Sequence, residues 1–255
     1  MTGETSTRPR AGSRFGSFAR ELVIVVVGAL VVSSLLRAFV GQMFIIPSES
    51  MENTLLVGDR VVVQKITDPQ RGDVVVFEDP GGWLDSEPAG EPGPLDSVLE
   101  FIGFPTASSP EHLIKRLIGM PGDRVVCCDT QGRITVNAEP LDETSYLYTD
   151  PDGIQVAPSD IAFDVTVPAG RTFVMGDHRD LSADSRCHLS DLSLQGPPGA
   201  VAFVPLEKVV GPAVAIAAPF SRAEILHRPR TFATVPGPTE PAPAQAVISP
   251  DDVSC

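Results

Sequence analysis

Positive charge is scarce in this 255-residue sequence, which has 19 Lys and Arg residues against 33 Asp and Glu and a net charge of −14. The first twenty residues contain a single acid, Glu4, and four arginines: Arg8, Arg10, Arg14 and Arg20. The rest of the chain is therefore more acidic still. Binding to nucleic acid needs clustered Lys and Arg to neutralise phosphates. The composition therefore excludes a nucleic-acid-binding body.

Cysteine is also rare, with four residues: Cys127, Cys128, Cys187 and Cys255. Four are too few for a small disulfide-built fold. A zinc site made of Cys127, Cys128, Cys187 and His188 is disfavoured, because two adjacent cysteines are poorly spaced for tetrahedral ligation. The sequence implies no metal and no organic cofactor.

Familiar catalytic signatures are missing as well. The sequence has no G-x-S-x-G, no S-x-x-K, no Walker A glycine loop and no H-E-x-x-H. Its four histidines are scattered, so no Ser-His-Asp triad can be assigned. Only three lysines are present, which leaves few candidates for a lysine base: Lys65, Lys115 and Lys208.

One long apolar run is present near the N-terminus. Residues 22–36 carry no charge, and after Arg37 the apolar character continues to Ile46. This length suffices for a helix to cross a bilayer core of about 30 Å, and the preceding arginines favour a cytoplasmic N-terminus. The sequence predicts a cytoplasmic tail at 1–20, a transmembrane anchor at 21–46 and an exported body. A cleavable signal peptide is the alternative.

The body is predicted to be one mainly β domain at 47–226. Short β-rich runs closed by Gly, Pro or Asp recur along it, such as RVVVQK at 60–65 and DVVVF at 73–77. A Gly-, Pro- and acid-rich stretch at 79–110 interrupts this pattern as an insertion. Residues 227–255 contain six prolines and few large apolar side chains, so we expect a disordered tail.

Two serines and one lysine are candidates for catalysis. Ser48 and Ser50 follow the apolar run, and on spacing alone they are more typical of a polar neck below an anchor. Lys115 lies in LIKRLI, where strand alternation groups it with Leu113 and Leu117. A lysine that reaches water from an edge strand is the ordinary interpretation. A buried lysine, however, has a lowered pKa and can accept a serine proton as a neutral amine.

Four blocks of the sequence together resemble the bacterial type I signal peptidases, membrane-anchored serine endopeptidases that remove signal peptides from exported proteins. The blocks are PSESM at 47–51 with Thr54-Leu55, GDRVVV at 58–63, RGDVVVF at 71–77 continuing to IKRLIGMPGD at 114–123, and MGDHRDLSADSR at 175–186. The resemblance implies coiled antiparallel sheets in a partial barrel behind one N-terminal transmembrane helix. It also implies a smaller β subdomain at about 124–170 and a retained anchor.

The resemblance assigns catalytic roles to four residues. Ser50 matches the nucleophile and Lys115 the general base. Ser48 matches the residue whose hydroxyl joins the Ser50 backbone N–H in the oxyanion hole. Ser182 matches the serine that hydrogen-bonds and orients the lysine.

The same resemblance assigns supporting and binding residues. A structural pair below the site matches Asp184 and Arg186, and the same loop holds Asp177 and Arg179. Three positions match residues that line the small apolar pockets for the Ala-x-Ala residues before the cut: Ile46, Leu55 and Ile114. These three side chains also fit plain core packing.

Some positions depart from the family pattern. Asn53 stands where many members have Pro, His178 where many have Asn, and Leu181 replaces the usual Asn. None of these removes a proton-transfer group. Because Cys187 and the Cys127-Cys128 pair flank blocks that meet at the active site in the family, we expect a disulfide between Cys187 and one of the two.

The resemblance implies signal peptides of exported preproteins and membrane lipid as partners, with the catalytic domain outside the cell membrane. Two other functions are left open. One is a membrane-tethered β-barrel binding module without catalysis. The other is a self-cleaving repressor-type Ser/Lys peptidase, which the apolar run and the lack of a basic helix-turn-helix region disfavour.

Overall fold

The computed structural model describes residues 12–39, 41–84, 111–192 and 196–249. Within these ranges the chain is mainly antiparallel β, as the sequence predicts. It forms one α-helix, α1 (Gly12–Phe39), and thirteen strands: β1 (Gly41–Ile45), β2 (Arg60–Gln64), β3 (Val74–Glu78), β4 (His112–Gly119), β5 (Arg124–Cys127), β6 (Thr135–Val136), β7 (Glu139–Pro140), β8 (Phe163–Thr166), β9 (Arg171–Met175), β10 (Val204–Pro205), β11 (Val209–Ala218), β12 (Glu224–Ile225) and β13 (Val247–Ser249).

The strands form two sheets. The larger sheet has the order β1-β2-β11-β3-β4-β9-β10. Strand β12 pairs in addition with β11, at Ala215 and Ile216. The smaller sheet has the order β13-β8-β5-β6-β7, and it draws on residues 124–166 and 247–249. Strand β4, an interior strand of the large sheet, leads directly into β5, the middle strand of the small one.

Strand β3 lies between β11 and β4, and apolar clusters cover both of its faces. Val74 and Val76 point into an apolar cluster that also holds Met51. Val75 and Phe77 point into a second cluster on the other face. This explains why DVVVF reads as a continuous apolar run instead of an alternating one.

Helix α1 exposes large apolar side chains along residues 22–32. Among the described residues, no helix combines the length and apolarity that crossing a membrane requires. The predicted anchor boundary at residue 46 is wrong, because β1 pairs with β2 in the register Gly41↔Gln64 to Ile45↔Arg60. The end of the apolar run therefore satisfies its backbone groups in a sheet.

The segment after residue 226 packs against the body. Phe232 and Val235 are buried in the apolar cluster of the smaller sheet, and β13 pairs with β8. The prediction of a disordered tail at 227–255 is therefore wrong for residues 227–249. Five prolines in this segment disfavour a regular helix, but they leave room for a few large side chains to anchor an extended chain.

The remaining predictions on this part of the sequence have mixed outcomes. Residues 85–110 of the predicted insertion lie outside the described residues, as do residues 250–255. Cys127 and Cys128 are bonded to each other, so the expected disulfide between either of them and Cys187 is wrong.

Candidate active site

Ser50 and Lys115 meet where the turn that follows β1 lies against strand β4. Ser50 lies in a one-turn 3₁₀ helix, Glu49–Met51, and Lys115 lies in the middle of β4. Lys115 Nζ donates a hydrogen bond to Ser50 Oγ at 2.5 Å. Both residues are buried, with 5% and 4% of their surfaces exposed. The ordinary interpretation, in which a lysine reaches water from an edge strand, therefore does not hold for Lys115.

The turn that carries Ser50 is fixed by its neighbours. Met51 and Leu55 are fully buried in the apolar cluster beneath it, and Leu55 N–H donates to Met51 O at 2.7 Å. On the upstream side, Ile46 exchanges backbone hydrogen bonds with the Gly58-Asp59 turn. Two apolar side chains and one turn thus hold the serine at the end of a short loop.

Burial lowers the pKa of Lys115 from 10.5 to about 8. The carboxylates of Asp184 and Asp177 oppose this shift, and the Arg186 guanidinium adds to it. With a pKa of about 8, roughly a tenth of the lysine is neutral at pH 7, compared with less than one part in a thousand for an ordinary lysine. The side chain can therefore act as a base near neutral pH.

Asp184 and Arg186 form a buried ion pair at 2.9 Å. Asp184 also accepts a hydrogen bond from Gly176 N–H at 2.9 Å. Burial alone would raise the pKa of Asp184, but the charge and hydrogen bonds of Arg186 outweigh it and keep that pKa below its usual value. The hydrogen bond from Gly176 to Asp184 ties the two ends of the loop 176–186 together.

Asp177 and Arg179 belong to two different pairs. Asp177 binds Arg116 through two hydrogen bonds of 2.6 and 2.7 Å and accepts a third from Thr54 at 2.5 Å. Arg179 binds the buried Glu143 at 2.5 Å. The sequence did not indicate roles for Arg116, Thr54 and Glu143. Two of them carried a signal, since Arg116 stands next to the candidate base and Thr54 belongs to the block around Ser50.

The hydroxyl of Ser48 lies 3.2 Å from that of Ser50. Ser48 has an extended backbone at the start of the 3₁₀ turn, and its side chain faces solvent. The two hydroxyls therefore stand together at the surface edge of the buried pair.

Ser182 is buried, and among the described residues its hydroxyl has no hydrogen-bond partner. It does not bind Lys115 in this structure, so its orienting role stays a prediction. Its side chain lies against Gly176, where a Cβ would collide with Ser182 and lie 2.5 Å from Ser50 O. Only glycine permits this approach of the loop to the Ser50 turn.

The three predicted pocket residues lie in one place. Ile46, Leu55 and Ile114 are all buried in the apolar cluster that also anchors Met51. They thus form core beneath Ser50, and their use as a substrate pocket stays a prediction. A separate groove of about 1130 Å³ lies beside Asn53, Thr54 and Arg116 and is lined by neither Ser50 nor Lys115.

The sequence matches known proteins over most of its length. The family described as signal peptidase, peptidase S26, matches residues 19–218. Signal peptidase I of Mycobacterium tuberculosis (strain ATCC 25618 / H37Rv) is 38% identical over 236 residues, covering 84% of this chain and 76% of that protein. Probable signal peptidase I of Mycobacterium leprae (strain TN) is 36% identical, covering 79% and 77%. Signal peptidase I of Leptolyngbya laminosa is 33% identical, covering 89% and 91%.

These matches decide between the functions that the sequence left open. They include the blocks around Ser50, Lys115 and Ser182, and they extend to proteins of several bacterial groups. A binding module without catalysis and a repressor-type peptidase are both inconsistent with them. The chain therefore belongs to the S26 family of signal peptidases and is a serine endopeptidase.

Proposed function

We propose that this protein cleaves signal peptides from exported preproteins, with Ser50 as the nucleophile and Lys115 as the general base. The observation that carries the proposal is the buried contact of 2.5 Å between Lys115 Nζ and Ser50 Oγ. A serine hydroxyl becomes a useful nucleophile when an adjacent base can take its proton. A lysine with a pKa of about 8 is such a base.

In the first step, Ser50 Oγ attacks the carbonyl carbon of the residue before the cleavage site, and neutral Lys115 accepts the hydroxyl proton. The donor and acceptor of the observed hydrogen bond exchange when the lysine is neutral. The Ser48 hydroxyl, 3.2 Å from Ser50 Oγ, and the Ser50 backbone N–H then stabilise the developing oxyanion. Lys115 returns its proton to the leaving amine, and an acyl-enzyme remains.

In the second step, Lys115 removes a proton from water, which attacks the ester carbonyl of the acyl-enzyme. The tetrahedral intermediate collapses, Ser50 regains its proton, and the signal peptide leaves. Ser182 orients the lysine amine in this scheme, because its hydroxyl is buried beside Gly176 without another partner among the described residues. Residues Asp177, Arg179, Asp184 and Arg186 hold the loop that carries Ser182.

We also propose that the apolar N-terminal segment anchors the protein in the cell membrane, with its N-terminus in the cytoplasm and its catalytic domain outside. The apolar side chains exposed at residues 22–32 support this proposal. The cleavage site of a membrane-bound signal peptide emerges at the membrane surface, close to where β1 brings the chain to Ser50. Ile46, Leu55 and Ile114 would accept small side chains before the cut.

The test is cleavage of a purified preprotein by the full-length enzyme in detergent or vesicles. Ser50→Ala, Lys115→Ala and Lys115→Arg should each reduce cleavage by at least a thousandfold, the last because arginine keeps its proton. Lys65→Ala is the matched control, since Lys65 is exposed, and it should cut at the wild-type rate. Mass spectrometry with a serine-reactive acylating probe should label wild type at Ser50. Cleavage by Lys115→Ala at a near-wild-type rate would contradict the assignment.

A further inference from the structure

Asn53 and His178, two departures from the family pattern, contact the same short segment, Leu147-Tyr148. Asn53 follows the nucleophile by three residues, and His178 lies in the loop opposite it. Asn53 Nδ2 donates to Leu147 O at 3.2 Å. The His178 ring stacks on Tyr148 with a centroid distance of 3.8 Å and an interplanar angle of 19°. Both departures thus meet at Leu147-Tyr148.

His178 is joined to the Ser50 turn by its backbone and by its side chain. Its backbone N–H donates to Ser50 O at 3.1 Å. Its Nδ1 lies 3.3 Å from a carboxylate oxygen of Glu52 but forms no hydrogen bond in this geometry. The ring is buried between Glu52 on one side and Tyr148 on the other. The imidazole therefore fills the gap between the nucleophile's turn and the Tyr148 ring.

Two further contacts limit movement of this assembly. Tyr148 N–H donates to Asp177 O at 3.1 Å, which fixes the tyrosine to the residue before His178. Asn53 has a backbone φ of +82°. Proline, whose ring fixes φ near −65°, cannot adopt this angle, whereas asparagine visits the left-handed region more readily than most residues. The turn after Ser50 therefore depends on the asparagine found here.

We propose that His178 is a positioning residue for Ser50, acting with Glu52, Asn53 and Tyr148 as a clamp between the nucleophile's turn and Leu147-Tyr148. The proposal rests on Ser50 being the nucleophile. The clamp fixes the Ser50 carbonyl, and through it the direction of the hydroxyl toward the substrate. Displacement of a reacting group by about 1 Å can cost a hundredfold in rate. Loosening the clamp therefore lowers kcat more than it weakens substrate binding.

The experiment compares three replacements of His178 in the full-length enzyme with a synthetic precursor peptide. His178→Ala removes the ring, His178→Phe keeps stacking on Tyr148 without polar atoms, and His178→Asn restores the residue common in the family. His227→Ala is the matched control, because that histidine is exposed. We measure kcat, KM, the pH profile of kcat/KM and the thermal midpoint for each variant.

His178→Ala should lower kcat at least tenfold, with KM within threefold of wild type and the thermal midpoint nearly unchanged. The apparent pKa in the pH profile should stay at its wild-type value, because the burial of Lys115 is not altered. His178→Phe should recover most of kcat, and His178→Asn should recover less. If His178→Ala does not fold, a kcat for His178→Phe at least threefold above that for His178→Asn supports the clamp, and equal values overturn it.

A double-mutant cycle tests the clamp independently. Because the two rings act through each other, Tyr148→Ala should lower kcat in wild type but hardly at all in His178→Ala. Additive losses would overturn the clamp, as would a kcat for His178→Ala within twofold of wild type. In either case an inactive Ser50→Ala shows that the proposed nucleophile stands. Activity in Ser50→Ala would instead overturn the proposed function itself.

Discussion

The ion pairs around the loop 176–186 and those of the smaller sheet join the same kinds of residue in different surroundings. The first set has side chains with at most 3% exposure: Arg116–Asp177, Arg179–Glu143 and Arg186–Asp184. The second set has side chains with 20–63% exposure: Arg124–Asp164 and Arg133–Asp129. Water screens the second set, whereas each charge of the first depends on its partner. Ion pairs with similar distances can therefore differ in how much the loss of one partner destabilises the fold.

The buried set also has a chemical effect that the exposed set lacks. Asp184, Asp177 and Arg186 act on the pKa of Lys115 because no solvent separates them from it. The carboxylates raise this pKa and the guanidinium lowers it, but burial is the largest influence and decides the direction of the shift. The ion pairs of the smaller sheet are not among the charged groups that shift the pKa of Lys115. The comparison predicts that changes near the loop affect both folding and catalysis.

The largest expected effect comes from breaking a buried pair. Asp184→Ala leaves the Arg186 guanidinium and the Gly176 N–H buried without their partner, so the free energy of unfolding should fall by about 3–5 kcal/mol. Urea denaturation measures this change. Asp180→Ala, an exposed acid of the same loop, is the control and should stay within about 0.5 kcal/mol of wild type. Equal stabilities of the two variants would contradict the comparison.

The packed C-terminal segment should give the next largest effect. Phe232 is buried against Tyr146 and over Gly72, so Phe232→Ala should cost about 3 kcal/mol. Phe220→Ala is a matched control, because that ring is 91% exposed. Truncation after residue 226 should destabilise the enzyme at least as much as Phe232→Ala. A truncated enzyme with the wild-type thermal midpoint would show that residues 227–249 do not support the fold.

The pH dependence of cleavage tests the buried charges directly. A lysine base is inactive when protonated, so kcat/KM should rise about tenfold per pH unit below about pH 7 and level off above pH 8. Between pH 6 and pH 8 the rise should be about fiftyfold, given a pKa of about 8. Lys65→Ala should show the same profile. A flat profile over this range would mean that Lys115 is neutral throughout, or that it is not the base.

The smallest effect should come from an exposed pair. Arg124 is 63% exposed at its side chain, so Arg124→Ala should change the free energy of unfolding by less than about 1 kcal/mol. Its effect should shrink further in 0.5 M salt, where the Debye length falls to about 4 Å. A loss of more than 2 kcal/mol would place this pair with the buried set and remove the distinction.

Much of the core could be predicted from short-range pattern. The runs at 60–65, 73–77 and 113–118 became β2, β3 and β4, with each boundary shifted by at most one residue. The very short strands β7, β10 and β12 were missed, because two residues carry no periodic signal. Strand β1 was missed for another reason: its residues continue an apolar run that also suits a helix.

The site divides in the same way. The meeting of Ser50 and Lys115 followed from sequence blocks, and the structure brings the two side chains together. The partners of Arg116 and Arg179 did not follow, because Asp177 and Glu143 lie 61 and 36 residues away from them. The disulfide and the C-terminal segment were predicted wrongly, since composition says little about which distant surface a chain will cover.

The sequence by itself determined the class of fold, the family and the pair of residues proposed for catalysis, because these depend on local pattern and on the identity of a few side chains. Only the tertiary structure decided that Lys115 is buried, which carboxylates face it, and that His178 packs between Glu52 and Tyr148. The reason is physical. A pKa or a fixed turn depends on what surrounds a group in space, and those neighbours come from strands that are distant in the chain.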